Sequence, residues 1–255
     1  DSDEPLRAAY VWNSHPLLDD HERKRHLEAL ANAGFNHIYL GLDSGQVAQP
    51  QALKAPVETL VREAANQGIQ VDLLLGDPLW LTDQHREDLA GLIRRLSPLP
   101  FAGLHLDLEV EQLGWPVPEE RLERWLRTVA IAKAASPWPV TLVSHHRWFS
   151  DSADPQTCVP CQLPEMGIET VSLMIYTTRP GRAGELMDRA TELWPGLSFR
   201  LVQSVEKALP GSQSWHGKTT RELTRVEQAL NREGIQDIEW QDWQDHPAYP
   251  ETRAQ

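Results

Sequence analysis

Apolar residues along the chain recur with two periods, and stretches of one period alternate with stretches of the other. Runs in which every second residue is apolar predict eight strands, beginning at Ala8, His37, Gln70, Gly103, Pro139, Thr170, Ser198 and Asp237. Between most of them, apolar residues recur every three or four positions, as in amphipathic helices, and several of these stretches end on glycine. Successive strands start about thirty residues apart, the length of one βα unit.

Eight strands alternating with helices predict an α/β protein with a single (β/α)8 barrel, the TIM barrel, formed as one domain by residues 1–255. A doubly wound open sheet is the alternative, but no glycine-rich phosphate loop follows the first strand. The fifth βα unit is irregular, because a proline-rich stretch, RWFSDSADPQTCVPCQLPEMGIE, replaces its helix. Long loops in compact domains often carry function.

Charge and hydropathy narrow the classes of ligand. The net charge of −13 repels phosphate backbones and anionic headgroups, so we expect no nucleic-acid partner and favour a neutral or cationic ligand. We expect no membrane insertion, because no apolar run approaches the roughly 20 residues that span a bilayer.

The only two cysteines of the chain, Cys158 and Cys161, lie in the sequence TCVPC. A local structural disulfide is favoured over half of a zinc site and over a redox motif. The chain begins at Asp1 rather than methionine, which is consistent with a removed signal peptide or a larger parent polypeptide. Together these features predict a periplasmic or secreted protein.

The stretch FAGLHLDLE, residues 101–109, combines a strand pattern with acidic residues. If its leucines face the helices, His105, Asp107 and Glu109 point into the barrel at steps of about 6.6 Å. Glu109 then stands at the C-terminal rim, where barrel active sites lie. Repulsion between two neighbouring carboxylates raises the pKa of one of them. A carboxyl group that keeps its proton near neutral pH is suited to act as a general acid. A satisfied internal polar network is the alternative, and His105 by itself is more typical of a core histidine.

This stretch resembles the fourth-strand signature of family 18 glycoside hydrolases, the chitinases and endo-β-N-acetylglucosaminidases, which reads roughly F-D-G-x-D-x-D-x-E. The matching residues are Phe101, Gly103, Asp107 and Glu109, whereas Ala102 and His105 stand where the family has aspartates. His105 is a candidate replacement for one of them. Met174 and Tyr176 in VSLMIYTT resemble the family's sixth-strand M-x-Y, and LLLGDPLW weakly resembles its Gly-Gly-Trp rim.

The resemblance implies that Glu109 protonates the glycosidic oxygen and that Asp107 orients the N-acetyl group of the substrate. The carbonyl oxygen of that group would attack the anomeric carbon, and Tyr176 would hydrogen-bond the same group. It implies no cofactor and no metal. The chain is thereby predicted to be a glycoside hydrolase acting on a polysaccharide or glycan that contains N-acetylated amino sugars.

Three alternatives stay open at this stage. Glu206, in LVQSVE near the end of the seventh strand, could be the nucleophile of a retaining glycosidase with Glu109 as its acid. Loss of the two aspartates is compatible with a non-catalytic, chitinase-like carbohydrate-binding protein. Histidines and carboxylates converging on a barrel mouth could also form the metal site of a hydrolase or deacetylase.

Tryptophan is abundant, with ten residues against four tyrosines and four phenylalanines. Sugar rings have apolar faces that stack on aromatic rings, so rim tryptophans suit an oligosaccharide or polysaccharide substrate. Trp215 also follows a strand, whereas Trp125 and Trp194 lie on helices and are expected to pack. The predicted substrate-binding residues at strand ends are Trp12, Asn13, Asp77, Trp80, Trp115, His145, Trp148, Glu239 and Trp243.

Overall fold

The computed structural model describes residues 3–150 and 157–251, and it confirms the predicted (β/α)8 barrel. Eight parallel strands pair in sequence order, and β8 closes the barrel against β1. The strands are β1 (Arg7–Val11), β2 (His37–Gly41), β3 (Gln70–Leu75), β4 (Leu104–Asp107), β5 (Val140–His145), β6 (Thr170–Met174), β7 (Ser198–Ser204) and β8 (Ile238–Gln241).

Helices connect the strands on the outside of the barrel. Within the described residues they are α1 (His15–Leu18), α2 (Arg23–Asn32), α3 (Ser44–Val47), α4 (Pro50–Asn66), α5 (Arg86–Leu96), α6 (Glu119–Ala135), α7 (Val159–Gln162), α8 (Pro180–Leu193) and α9 (Thr220–Arg232). The amphipathic stretches predicted between the strands form the longer helices α2, α4, α5, α6, α8 and α9. The fifth unit is irregular as expected, since the described part of its connection holds the short α7 and two 3-10 turns.

The eight strands separate two hydrophobic cores. Leu104, Leu106 and Leu108 lie in the larger core, between the strands and the helices, as their alternation predicts. The barrel interior is filled by a smaller cluster, which consists of Ala8, Tyr10, Tyr39, Leu74, Val143, Met174 and Val202. Polar residues that share the inward direction therefore lie either within a packed interior or at one of its two ends.

Three further features complete the fold. Cys158 and Cys161 form a disulfide at the start of α7. The Trp115–Pro116 and Gln241–Asp242 peptide bonds are cis. No helix among the described residues combines the length and apolar character needed to cross a bilayer.

Candidate active site

Asp107 and Glu109 lie at the C-terminal end of β4, where the barrel opens. Asp107 is the last residue of the strand and is only 6% exposed, whereas Glu109 is half-buried. Their side chains share a hydrogen bond. Glu109 Oε2 also accepts a hydrogen bond of 3.0 Å from Gln112 Nε2. Asp107 Oδ1 is buried and has no hydrogen-bond partner in the structure.

The two carboxyl groups retain a proton more readily than isolated ones. Burial, followed by the charge of Glu109 and their shared hydrogen bond, raises the pKa of Asp107 well above its ordinary value, and Glu111 and Glu206 add to the effect. Burial also raises the pKa of Glu109, although the hydrogen bond with Asp107 opposes that shift. Such a pair takes up and releases protons as one unit.

Gly76 allows the chain to pass close beside this pair. A Cβ atom at Gly76 would lie 2.6 Å from the Asp107 carbonyl oxygen and 3.3 Å from the ring of Trp12. The ring of Trp12 therefore stands next to the end of β4. A cavity of about 360 Å³ opens beside Trp12 at the ends of β2 and β3, and its lining includes Gly76 and Trp80 but neither carboxyl group of the pair.

Tyr176 and Glu206 reach the same end of the barrel from β6 and β7. Burial, then the charges of Glu206, Asp107 and Glu109, raise the pKa of Tyr176 well above its ordinary value, which keeps its hydroxyl protonated. Burial raises the pKa of Glu206 as well, although Ser204 Oγ donates a 2.8 Å hydrogen bond to its carboxylate. The structure thus brings together all four residues that were predicted to act in catalysis.

An aromatic patch borders the site on the side of β4 and β5. Trp115 is 60% exposed, and its ring centroid lies 6.4 Å from that of Trp148. The guanidinium carbon of Arg147 sits 4.0 Å from the Trp115 ring centroid, within range of a cation–π interaction. Trp148 Nε1 donates a hydrogen bond to the carboxylate of Glu111. These contacts orient a large exposed ring toward solvent.

The predicted rim residues that follow β1 and β3 differ in their exposure and in the contacts that they make. Trp12 is 40% exposed and donates Nε1 to Gln241 Oε1 at 2.9 Å. Trp80 is half-buried and packs against the larger core. Asn13 and Asp77 stabilise turns, because Asn13 Oδ1 accepts from the His15 amide at 3.1 Å and Asp77 Oδ1 accepts from the Leu79 amide at 2.9 Å.

The predicted rim position of Trp243 is wrong. Its side chain is 2% exposed, its Nε1 donates to His26 Nδ1 at 3.0 Å, and its ring packs against Phe35. Strand β8 ends at Gln241, so the alternation that would aim Trp243 at the barrel mouth no longer applies. Trp243 is a packing residue between the barrel and its helices.

Glu239 does not reach the rim either. It is completely buried, because it lies within β8 and points into the packed interior. Tyr10 donates to its Oε1 at 2.8 Å, Tyr39 donates to its Oε2, and Arg200 Nη1 lies 3.7 Å away. Glu239 is therefore part of a structural ion pair inside the barrel rather than a substrate-binding group at its mouth.

His105 belongs to the same buried network. Because the single proton of the Tyr10 hydroxyl goes to Glu239, His105 Nε2–H donates to Tyr10 at 2.8 Å, and His105 Nδ1 accepts from Thr141 Oγ1 at 2.6 Å. Its ring stacks on Tyr39 with centroids 3.8 Å apart. Burial lowers the pKa of His105 well below its ordinary value, so it is a neutral core histidine.

His145 and His146 lie at the end of β5 with their rings on the same side, although adjacent residues within a strand point to opposite faces. Strand β5 ends at His145, and the rings stack with centroids 4.5 Å apart. His145 Nδ1 accepts a hydrogen bond from the Arg147 amide at 3.1 Å. Burial, then the charge of Arg147, lowers the pKa of His145. Burial, then the charges of His145, Arg182 and Arg147, lowers the pKa of His146 to about 4.

Four residues at the mouth were missed from the sequence. Asp242 and Asp245 follow β8, and Glu111 and Arg147 follow β4 and β5. An acidic residue directly after a predicted strand is a signal that could have identified Asp242 and Glu111, and Glu111 continues the alternation of Asp107 and Glu109.

The metal site that the sequence left open as an alternative has no counterpart in the part of the chain that the structure describes. These residues contain no group of three or more His, Cys, Asp or Glu side chains arranged to hold a metal ion.

No family model matches the sequence, and no curated protein matches it. Similar solved structures are numerous. GH5_18 from Streptomyces cattleya in complex with GlcNAc is 17% identical with a TM-score of 0.58, over 95% of this chain and 71% of that chain. The spore cortex-lytic enzyme SleL of Bacillus cereus is 10% identical with a TM-score of 0.59, over 96% of this chain and 72% of that chain.

The similar structures do not share one function. The copper homeostasis protein CutC from Streptococcus agalactiae, which is not a glycosidase by name, is 14% identical with a TM-score of 0.51, over 93% of this chain and 99% of that chain. At these identities the likeness establishes the TIM-barrel fold alone. Function therefore has to be argued from the residues of the site.

Proposed function

We propose that this protein is a glycoside hydrolase that cleaves glycans containing N-acetylated amino sugars, with Glu109 as its general acid. The observation that carries the proposal is the hydrogen-bonded pair of Asp107 and Glu109 at the C-terminal end of β4. Barrel active sites lie at this end of the strands. Similar barrels that bind GlcNAc or Manβ1-4GlcNAc in crystals make an amino-sugar ligand reasonable.

Glu109 is suited to donate a proton to the leaving group. It is the more accessible member of the pair, since Asp107 is buried beneath it. Burial raises the pKa of Glu109, so a proton remains available closer to neutral pH than on a free glutamate. After the leaving group departs, the same carboxylate can accept a proton from the incoming water.

Asp107 and Tyr176 are suited to hold an acetamido group. The unpartnered Asp107 Oδ1 can accept its N–H, and the protonated Tyr176 hydroxyl can donate to its carbonyl oxygen. That oxygen attacks the anomeric carbon, the glycosidic C–O bond breaks, and the leaving oxygen takes the proton of Glu109. Water then opens the cyclic intermediate and returns its proton to Glu109.

Glu206 supports a second mechanism for the same reaction. Its charge acts on Asp107, and the charge of Glu109 acts on it, so it belongs to the same site. A nucleophile must be ionised, however, and burial together with Asp242 and Asp245 raises the pKa of Glu206. We therefore favour the substrate-assisted route. Labelling with a 2-fluoro sugar would mark Glu206 in the second mechanism and leave the protein unlabelled in the first.

The test is an assay of new reducing ends on a panel of amino-sugar polymers. We expect the parent to cleave at least one polymer and Glu109→Gln to cleave it about 10² to 10⁴ times more slowly. Glu58→Gln, on the exposed face of α4, removes the same charge elsewhere and should cleave at the parent rate. Binding by the parent without any cleavage would identify a carbohydrate-binding protein, and neither binding nor cleavage would refute the proposal.

We also propose that the protein functions in the periplasm or outside the cell. The disulfide between Cys158 and Cys161 supports this proposal, because such bonds persist in oxidising compartments. Thiol titration of the unfolded, unreduced protein purified from its native source should detect no free thiol. Two free thiols would argue for a reducing compartment.

A further inference from the structure

The 3-10 turn after β4, Val110–Leu113, carries a third acid next to the Asp107–Glu109 pair. Glu111 lies in this turn and is half-buried. Its carboxylate accepts a hydrogen bond from Trp148 Nε1, which reaches it from the turn after β5. Among the described residues, no lysine, arginine or histidine forms an ion pair with Glu111. Its negative charge is therefore fixed in position without being neutralised.

The turn is also held by contacts with the neighbouring elements. Arg121 Nη1, on α6, donates to the Val110 carbonyl oxygen at 3.1 Å and to the carbonyl oxygen of Gly114. Gly114 ends the turn with a φ of 118°, a left-handed conformation that favours glycine. The Trp148 ring packs against the larger core. Glu111 is thus anchored through its backbone by α6 and through its side chain by the turn after β5.

The charge of Glu111 acts on both members of the pair. Burial is the largest cause of the raised pKa of Glu109, and the charge of Glu111 adds to it, whereas the hydrogen bond with Asp107 opposes it. The pKa of Asp107 is raised by burial first, then by Glu109, and then by the charges of Glu111 and Glu206. A like charge beside a carboxyl group favours its protonated form. Glu111 therefore favours the state in which the pair keeps its proton.

Arg147 is the cation in the turn that also carries Trp148. Its guanidinium carbon lies 4.0 Å from the Trp115 ring centroid and 6.0 Å from that of Trp148, so it contacts aromatic faces. Titratable groups on the elements around the turn include Asp77, Glu119, Arg121, His145, His146 and Tyr176. Arg121 is bonded to backbone carbonyls of the turn, and burial lowers the pKa of both histidines. Neither histidine therefore supplies a positive charge near neutral pH that would offset Glu111.

We propose that Glu111 is a positioning residue whose negative charge keeps the proton on the Asp107–Glu109 pair. Trp148 holds Glu111 in place for this role. This inference rests on the proposed function, in which Glu109 has to carry a proton when the substrate binds. The proton that reaches the leaving oxygen comes from Glu109, and Glu111 sets how strongly the pair holds that proton before the reaction.

Glu111→Gln tests the charge. The introduced amide keeps an oxygen that can accept from Trp148 Nε1, so the melting temperature should stay near that of the parent or rise. Without the charge, the pair should lose its proton at lower pH. The high-pH limb of the kcat/KM profile, measured on a polymer that the parent cleaves, should move down by about half to one pH unit. Cleavage should therefore fall about three- to tenfold above the limb and stay unchanged on its low-pH side.

Carbon-13 NMR of the side-chain carboxyl groups follows the titration of the pair without any substrate. Asp107 and Glu109 should titrate over a lower pH range in Glu111→Gln than in the parent. Trp148→Phe keeps an aromatic ring but removes the N–H that holds Glu111, so it should shift the titration in the same direction by a smaller amount. It should add no shift to Glu111→Gln, because the charge that Trp148 positions is already gone.

Two variants serve as controls. Gln112→Leu changes the same turn but removes a donor to Glu109 Oε2 rather than a charge, so neither the limb nor the titration should move to lower pH. Glu58→Gln, exposed on α4, removes an equal charge away from the mouth and should follow the parent in both measurements. A downward shift in Gln112→Leu as large as that in Glu111→Gln would show that any change of the turn moves the pair, and would overturn the inference.

The outcomes separate this inference from the proposed function. Cleavage by the parent, with an unchanged limb and an unchanged titration in Glu111→Gln, would overturn the role of Glu111 and leave the glycoside hydrolase proposal standing. A lower melting temperature with both profiles unmoved would make Glu111 a structural residue. A downward shift in the titration without cleavage of any polymer would support the effect of Glu111 on the pair and count against the proposed function.

Discussion

Asp107 and Glu109 are joined by a hydrogen bond although both are acids, and this is the central relationship of the site. One proton between two carboxyl groups relieves the repulsion that two ionised groups would suffer at this depth. The pair is thereby a store for one proton, placed where the barrel opens.

Glu109→Gln should keep the shape of the site but remove the transferable proton. We expect kcat to fall about 10² to 10⁴-fold with little change in KM. Stability should hold or rise, because a charge beside Asp107 is removed. Steady-state kinetics and thermal melting measure the two effects together. A variant that melts much earlier and still cleaves at the parent rate would show that Glu109 is structural.

Asp107→Asn should change how stability depends on pH. A carboxyl group whose pKa is raised on folding keeps its proton in the folded state while the unfolded chain has lost it. The parent therefore loses stability as pH rises from about 4, the ordinary aspartate value, to the raised pKa of Asp107. The introduced amide cannot ionise. The free energy of unfolding of the variant should therefore rise relative to that of the parent as pH increases through this range.

Denaturant unfolding at a series of pH values measures this difference. Asp188→Asn is the matched control, because it replaces an exposed aspartate on α8 and should follow the parent curve. Parallel curves for Asp107→Asn and the parent between about pH 4 and pH 8 would contradict the raised pKa.

Trp115→Ala and Trp243→Ala should have opposite consequences. Trp115 is 60% exposed, so its loss should leave the melting temperature unchanged and weaken glycan binding by a few-fold to tenfold. Trp243 is 2% exposed, so its loss should lower the free energy of unfolding by about 3 to 5 kcal/mol. Tryptophan fluorescence titration and urea unfolding report the two quantities. Equal destabilisation by both changes would mean that Trp115 is packing too.

Arg200→Met should destabilise the barrel by leaving the buried Glu239 without its cation. Breaking one partner out of a buried ion pair costs about 3 to 5 kcal/mol. Glu239 keeps the hydroxyl groups of Tyr10 and Tyr39, so the loss should fall within or below that range. Adding Glu239→Gln removes the stranded charge, and the double variant should be more stable than the sum of the two single changes predicts. Strict additivity in urea unfolding would show that the two residues do not interact.

Much of the fold follows from local pattern. The alternation in residues 101–109 specifies both the strand and the leucines that face the helices, because a strand has a period of two and only one face meets the larger core. The order of eight βα units then predicts the closed barrel. The placement of Asp107, Glu109, Tyr176 and Glu206 at one end follows from that topology, since all parallel strands end on the same side.

What the sequence determined by itself was therefore the barrel and the end of the barrel that carries the acidic residues. Only the tertiary structure decided the depth and direction of each side chain beyond a strand's last residue. Trp243 and Glu239 share an inward parity, yet one turns back into the helical layer after Gln241 and the other lies below the rim among Tyr10, Tyr39 and Arg200. Glu206, Asp242 and Asp245 likewise come together because the loops after β7 and β8 meet, through the hydrogen bond from the Lys207 amide to Asp245. Strand periodicity fixes direction only while the pleat continues, whereas loop conformation depends on contacts between residues that are distant in the chain.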